Sequence, residues 1–382
     1  MHIYRNKKKR DIRVQNHTYF CEFCTRYFRY AIVAAGMGIM LLSGCGNKNK
    51  TEIALITDAQ GMSEQTSEYS ALAGVKKFAE KNNKTYDSFA SEEKSTRGYE
   101  ETISKALKSG AEVIICQGKE LETAVYDMQK ADLSVKFVLL DGVPHAADSE
   151  KEKLRGNTHA VLFSREQAGY LAGYSAVREG FTSLGFMGGE KENSTIQYGS
   201  GFVQGANEAA KEIGLGAEQI TIRYRYLGTE ITSPDVEQTA QSWYNEGCQV
   251  ISSCEFSILN AIGKAAKQKD KQVITMDNSL KAFPGTVLTY VGNDYASVTY
   301  QILNSIKEKS YAGGEREIVG VDTNSVCLDM NKSSFQTFTA DQYNQLCEEL
   351  SNGKLEVSRE NVTKDLKKYK IVNVTLNMEN NT

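Results

Sequence analysis

The chain has 382 residues, of which 40% are hydrophobic and 24% charged, with a formal net charge of -3 and only three prolines. That balance excludes a disordered or collagen-like chain, and it provides no general attraction to nucleic acid. The length leaves room for two lobes of ordinary domain size.

The N-terminal segment reads as a signal. Arg26 and Arg29 precede an apolar run from Ala31 to Leu42. About a dozen residues suit a secretory h-region and fall short of the roughly 20 that a spanning helix needs. The run closes on Leu42-Ser43-Gly44-Cys45, the pattern of a bacterial lipoprotein signal. Residues 1–44 are therefore expected to be a lipoprotein signal peptide, with the Cys45 thiol acylated (the class of modification that includes palmitate). Residues 45–51 become a lipid-anchored tether on the extracytoplasmic face of the cell membrane. An uncleaved anchor, or a chance cysteine in an ordinary signal, is the alternative. The basic stretch Lys7-Lys8-Lys9-Arg10 makes a long n-region and fits a start codon assigned too far upstream.

Of the eight cysteines, Cys21 and Cys24 fall in the signal, and their C-x-x-C spacing has no second pair to complete a zinc site. Cys116, Cys248, Cys254, Cys327 and Cys347 remain, an odd number that argues against a disulfide framework. Cys116 and Cys254 end apolar runs and read as small buried hydrophobes. The four histidines, His2, His17, His145 and His159, have no ligand spacing, so no metal and no cofactor is expected.

After the tether a regular alternation begins. Glu52 to Thr57 reads as a strand, Glu64 to Asn82 as an amphipathic helix, Thr85 to Phe89 as a strand, and Thr96 to Ser109 as a helix stopped by Gly110. Strand Glu112 to Cys116, helix Leu121 to Ala131 and strand Val135 to Leu140 follow. The rhythm then repeats: strand Asn157 to Phe163, helix Glu166 to Gly180, strand Ser183 to Met187, helix Gly199 to Ile213, strand Gln219 to Tyr226, helix Pro234 to Glu246, strand Gln249 to Ser252, helix Ile258 to Gln268 and strand Gln272 to Met276. A shorter set adds strand Thr286 to Val291, helix Tyr295 to Lys309 and strand Glu317 to Val321. The tail holds a helix, Asp341 to Leu350, and a last strand near Lys370 to Val374.

Alternation of this kind predicts parallel sheets covered by helices on both faces. Two successive α/β halves and a trailing segment that crosses back predict a two-lobed fold with a cleft between the lobes, similar to the type I periplasmic binding proteins. Lobe 1 is expected to comprise 52–156 plus about 286–322, and lobe 2 157–285 plus about 323–382. Two independent Rossmann-like domains, or one long sheet, are the alternatives.

Three apolar strands end in aspartate: Asp58, Asp141 and Asp277. Ligands of open α/β sheets bind outside the carboxyl ends of the strands. Ionised carboxylates only accept hydrogen bonds, so a ligand rich in donors, such as ribose hydroxyls, a base amine or a cation, is expected. Capping of the following turn is the competing role for each aspartate. Tyr69, Tyr198, Phe256 and Tyr290 are stacking candidates at the same edge, with Gln117, Glu255 and Asn293 as polar neighbours. Gly188-Gly189 lacks the remaining residues of a nucleotide fingerprint. Neither Gly-x-Ser-x-Gly nor a histidine after a strand appears, so no catalytic residues are assigned. A carboxylate pair for glycoside hydrolysis remains open on spacing alone.

Several stretches carry a family resemblance: Ile53-Ala-Leu-Ile-Thr-Asp58 followed by Gly61, Ala73-Gly-Val-Lys-Lys-Phe-Ala79, Phe137-Val-Leu-Leu-Asp-Gly142, Phe163-Ser-Arg-Glu-Gln-Ala-Gly-Tyr-Leu-Ala-Gly173, and Leu184-Gly-Phe-Met-Gly-Gly189 with Tyr198-Gly199 and Gly201-Phe202. The chain resembles, from about Cys45 to Leu303, the basic membrane protein (BMP) family of ABC-transporter substrate-binding lipoproteins, including its purine nucleoside receptor branch. The resemblance implies capture of a nucleoside-like small molecule by lobe closure and delivery to an ABC permease, with no reaction catalysed. It implies that Asp58, Asp141 and Asp277 hold ligand hydroxyls. The chain departs from the family where a stacking Phe is usual, since Ser67 stands there before Glu68 and Tyr69. A Gly-Gly loop is replaced by Ser253-Cys-Glu-Phe-Ser257, and a Lys after the last cleft strand is missing at Val291-Gly-Asn-Asp294. Glu68 and Glu255 make the cleft more acidic, so a ligand more cationic than a plain purine nucleoside is expected. A ligand-sensing receptor docking on a signalling partner, and a cell-surface enzyme acting on a nucleoside or sugar, are the other readings.

Overall fold

The computed structural model describes residues 50–57, 62, 67–149, 151–228, 232–276 and 283–379. The signal, Cys45, Asp58, Asp277 and the first residues expected in the helix from Glu64 lie outside the described residues.

Two parallel sheets carry the fold. The first has the order β11-β5-β4-β3-β1-β2, from β1 (Ile53–Thr57), β2 (Tyr86–Ala90), β3 (Val113–Gln117), β4 (Lys136–Leu140), β5 (Thr158–Phe163) and β11 (Arg316–Val319). The second has the order β12-β10-β9-β8-β6-β7-β13, from β6 (Ser183–Gly188), β7 (Thr221–Tyr226), β8 (Val250–Ser253), β9 (Gln272–Thr275), β10 (Val287–Asn293), β12 (Val326–Leu328) and β13 (Thr375–Met378). Among the described strands only β12 runs antiparallel, against β10. β1, β3 and β8 are buried along their whole length, as continuous apolar runs in doubly covered parallel sheets should be.

The helices are α1 (Ser67–Asn82), α2 (Thr96–Lys108), α3 (Glu122–Met128), α4 (Arg165–Glu179), α5 (Asn193–Glu212), α6 (Ser233–Asn245), α7 (Phe256–Lys269), α8 (Tyr295–Lys307) and α9 (Ala340–Ser351). Their ends follow local chemistry. Ser95 caps α2 by accepting from the Gly98 N–H at 3.1 Å, and Asp294 caps α8 by accepting from the Ser297 N–H at 2.9 Å. Thr339 and Gln342 form a capping box at α9. Gly180 ends α4 in the left-handed conformation at φ 106°, which glycine adopts without steric cost.

The structure assigns two strands differently from the sequence expectation. The strand at Asn157–Phe163, expected in lobe 2, pairs with β4 in the first sheet. The strand at Thr286–Val291, expected in lobe 1, pairs with β9 in the second. Each crossover follows its strand rather than preceding it, and composition does not mark which side of a strand the chain crosses. The last strand begins at Thr375, where the Thr375 N–H meets the Ile220 carbonyl at 2.8 Å, beyond the expected Lys370–Val374. The short β12 was not expected at all. α5 begins at Asn193, six residues before the expected start.

The chain therefore crosses between sheets three times: from β5 into α4, from β10 into α8, and from β11 into β12. The crossings are stitched together. The Ser164 N–H donates to Val319 O at 2.9 Å, and the Asp294 N–H to Ser325 O at 2.9 Å. The Val321 N–H donates to Gln167 Oε1 at 2.8 Å.

α4 and α5 pack with glycines on both faces. A Cβ on Gly169 would lie 1.9 Å from Tyr198 O, and one on Gly173 2.0 Å from Phe202 O. In return, a Cβ on Gly201 would meet Glu166 O at 1.9 Å, and one on Gly205 would meet Tyr170 O at 2.0 Å. The family-like Glu166-x-Ala-Gly-Tyr-Leu-Ala-Gly173 stretch is thus a helix-packing surface: its glycines let two backbones touch.

At the opposite end of the first sheet, His159 on β5 is 3% exposed. Burial holds its imidazole below the ordinary histidine value, against the pull of Glu317 and Glu315. Glu317 Oε2 lies 3.2 Å from Nε2, but half of that side chain is in solvent, so burial wins. The folded pKa is below the unfolded one. The native state binds fewer protons, and the stability this contributes is full above the unfolded value near 6.5 and is lost as pH falls. Denaturation midpoints should therefore drop between about pH 7 and pH 5. The H159Q variant should show a shallower drop, and an equal slope in both proteins would refute the assignment.

Candidate functional site

In the first sheet the strand order reverses between β1 and β3, and in the second between β6 and β8. Crevices for ligands open at such switch points, outside the carboxyl ends of the strands. Thr57 and Gln117 end β1 and β3. Gly188 and Ser253 end β6 and β8. The two switch points face each other, because Lys119, two residues past β3, forms an ion pair with Glu192 at the start of α5, just past β6. Both side chains are partly in solvent, so the pair contributes at most about 1 kcal/mol.

The cleft floor is a second cluster. Arg165, the first residue of α4, donates from Nη2 to Asp141 Oδ2 at 3.1 Å and to Tyr295 Oη at 3.4 Å. Tyr295, the first residue of α8, donates its hydroxyl to the same Oδ2. Asn293 Nδ2 donates to Tyr295 Oη at 3.2 Å, and Arg165 Nη1 lies 3.6 Å from Met276 Sδ at the end of β9. One carboxylate oxygen at the end of β4 thereby holds the starts of two crossing helices. Burial is the largest influence on Arg165 and opposes its charge, but Asp141, Tyr295 and Cys254 together outweigh it and raise the guanidinium further. Burial, then Asp141, keeps the Tyr295 phenol protonated. Asp141 sits at φ 58°, a left-handed conformation that Asp and Asn tolerate better than most residues.

The Asp141 carboxylate is held by Arg165 and Tyr295 rather than by a following turn, which removes the capping role. Gln117 is 3% exposed, and neither atom of its amide has a hydrogen-bond partner. Asn293 Oδ1 is also buried and unpartnered. Tyr69, at the start of α1, is 44% exposed, and Phe256, at the start of α7, is 47% exposed; each follows a strand of its own switch point. Glu68 is half-buried beside Tyr69.

Tyr198 is a correction. It lies inside α5 because the helix begins at Asn193, is fully buried, and stacks on Phe186 at 6.1 Å. Its hydroxyl bonds Ser252 Oγ at 2.9 Å. It is core, not a ligand stacker. Tyr290 packs against the core beneath α6 and α7. Cys254, expected to be buried, is half-buried, with its thiol pushed up to about 12 by burial and then by Glu255. Cys116 and Cys248 are buried, and no disulfide joins any of the five described cysteines. Among the described residues no group of three or more His, Cys, Asp or Glu is placed to hold a metal ion, and no helix is long and apolar enough to cross a membrane.

Arg165, Tyr295, Lys119 and Glu192 were not anticipated. Lys119 and Glu192 obey the same strand-end rule that found Gln117 and Glu255. Arg165 and Tyr295 open helices, where a polar residue carries no distinguishing mark.

Two lobes of parallel sheet, crossed three times and facing each other at their switch points, define a periplasmic-binding-protein-like solute receptor. The family model described as "ABC transporter substrate-binding protein PnrA-like" matches residues 50–361, and the chain belongs to that family, Bmp. It is similar to the ABC transporter nucleoside-binding protein BmpA of Lactococcus lactis, at 23% identity over 349 residues, covering 88% of this chain and 90% of that one. It is similar to basic membrane protein B of Borreliella burgdorferi, at 25% over 224 residues, covering 56% and 62%. In fold it is similar to an ABC transporter solute-binding protein from Conexibacter woesei, with a TM-score of 0.66 at 16% identity, covering 81% of this chain and 99% of that one. The chain is a substrate-binding protein of an ABC transporter family.

Proposed function

We propose that the protein is the lipid-anchored capture component of an importer for a nucleoside-like solute, held to the extracytoplasmic face of the membrane through Cys45. The observation that carries the ligand class is the set of buried polar atoms without partners at the strand ends: Gln117 Oε1 and Nε2, and Asn293 Oδ1. Buried polar groups are normally paired, and ligand hydroxyls, which both donate and accept, supply what these atoms lack. Asp141 Oδ2 is taken by Arg165 and Tyr295, and its other oxygen is assigned to the ligand. Asp58 and Asp277 would contribute further acceptors, and Tyr69 and Phe256 would cover the ligand's faces from opposite lobes. The lobes are assigned by sheet: residues 50–163 with about 294–319, and residues 165–293 with about 320–379. Closure turns on the three crossings, driven by contacts made only when the lobes meet.

The test is mass spectrometry of small molecules released on denaturation, joined to a thermal-shift panel of adenosine, inosine, guanosine, cytidine, uridine, free ribose and amino acids. A nucleoside present at about a hundredfold excess over its Kd should add about 2.7 kcal/mol of stability. Stabilisation by ribose or amino acids, with none by any nucleoside, would reject the reading. Metabolic labelling with palmitate, lost in the C45A variant, tests the anchor.

A further inference from the structure

The acidic rim of the second lobe assigns a sign to the ligand. Glu255 opens the turn after β8, half-buried, and its carboxylate has no hydrogen bond or ion pair among the described residues. It packs over the other switch-point strand: a Cβ on Gly189 would lie 2.8 Å from Glu255 Cγ. Glu190 and Glu192 stand in the same loop. The cations nearby are engaged elsewhere: Arg165 on Asp141, Lys119 on Glu192, and Lys191 over the Tyr226 ring at 5.4 Å. Across the gap, Gln117 ends the β3 strand whose turn places Lys119 on Glu192. Its amide is buried and unpartnered. A half-buried carboxylate beside two others is unfavourable unless a cation joins it. Burial, then Glu192 and Glu190, already raise the Glu255 carboxyl above its ordinary value, against Lys119 and Arg165.

We infer that the cleft selects a positively charged, donor-rich solute, a cationic nucleoside or a nucleoside bearing a protonated amine, whose charge pairs with Glu255 while its donors reach Gln117. The inference rests on the nucleoside-like reading above and adds the charge. A neutral purine nucleoside leaves Glu255 desolvated and unpaired, whereas a cation converts that cost into a charge-assisted bond.

Isothermal titration of the mature protein compares adenosine with 1-methyladenosine, whose ring is positively charged at neutral pH, for the wild type and for Glu255→Gln. The wild type should bind the cation about tenfold or more tightly than adenosine. Glu255→Gln should bring the two within a factor of about two by weakening the cation alone. Equal affinities in the wild type, or a preference that survives Glu255→Gln, would overturn the charge assignment and leave nucleoside capture standing. Binding of neither compound would also overturn the charge assignment, while nucleoside capture itself is decided by the wider thermal-shift panel. Glu190→Gln is the companion variant, since Glu190 is exposed and unpaired, and a loss of preference there with none in Glu255→Gln also overturns the assignment to Glu255.

Discussion

Replacing Gly169 by alanine is expected to destabilise the protein by about 2 kcal/mol, although alanine is the better helix former by about 1 kcal/mol. The new methyl would sit 1.9 Å from the Tyr198 carbonyl, so α4 and α5 must move apart. Overpacking of that kind costs about 3 kcal/mol where the obstacle is backbone and cannot swing aside. The clash therefore outweighs the propensity gain. The measurement is the urea midpoint, expected to fall with little change in slope. Gly156→Ala is the control: nothing lies within 4 Å of its added Cβ, and its midpoint should stay within about 0.5 kcal/mol of the parent. Gly201→Ala opens the same interface from the other helix, against Glu166 O. The double variant should cost less than the sum of the two, because one separation relieves both contacts. If Gly169→Ala proves neutral, the close approach of the two helices is wrong.

The second large effect is expected at Arg165. Arg165→Met leaves the Asp141 carboxylate at the cleft floor with only the Tyr295 hydroxyl on Oδ2. Removing one partner of a largely buried pair costs about 3 kcal/mol, most of it from the charge left behind. Asp141→Asn keeps a residue that tolerates φ 58° but weakens the attraction for Arg165. In the double variant neither charge is stranded, so the cycle should show a coupling of about 1–2 kcal/mol. Ligand-free stability is the readout. A coupling near zero would mean that Arg165 and Asp141 act independently and that the two crossings are not tied through this carboxylate. Because Arg165 starts one crossing helix and Tyr295 another, small-angle scattering of Arg165→Met should also show a broader distribution of lobe separations.

Much of this architecture is legible in the chain. The apolar runs, the glycine stops and the capping residues mark nearly every strand and helix, because burial of parallel strands and satisfaction of helix ends are local demands. Strand ends locate Asp141, Gln117, Glu255 and Asn293 at one edge without coordinates, since the carboxyl ends of parallel strands share a side.

What failed was non-local. Periodicity identifies a strand but not its partner, so Thr158–Phe163 and Val287–Asn293 went to the wrong lobes in the sequence reading. Tyr198 reads as a loop aromatic because α5 starts after Glu192, which makes no side-chain cap; only the docked helix shows the ring facing Phe186. The glycines at 169, 173 and 201 are plain in the sequence as part of the family resemblance, and Gly205 joins them only in the packed helices. Their function, letting two carbonyl rows meet two bare Cα rows, exists only when both helices are in place.

The amino-acid order alone determined the kind of protein: an α/β chain with acidic and amide groups at strand tips. Tertiary structure alone decided which of those groups are free. Asp141 is held by Arg165 and Tyr295, residues that start helices and are distant along the chain, whereas the Gln117 amide and the Glu255 carboxylate have no partner among the described residues. The reason is that ion pairs and hydrogen bonds fall off within a few ångströms, and only folding determines which side chains come that close.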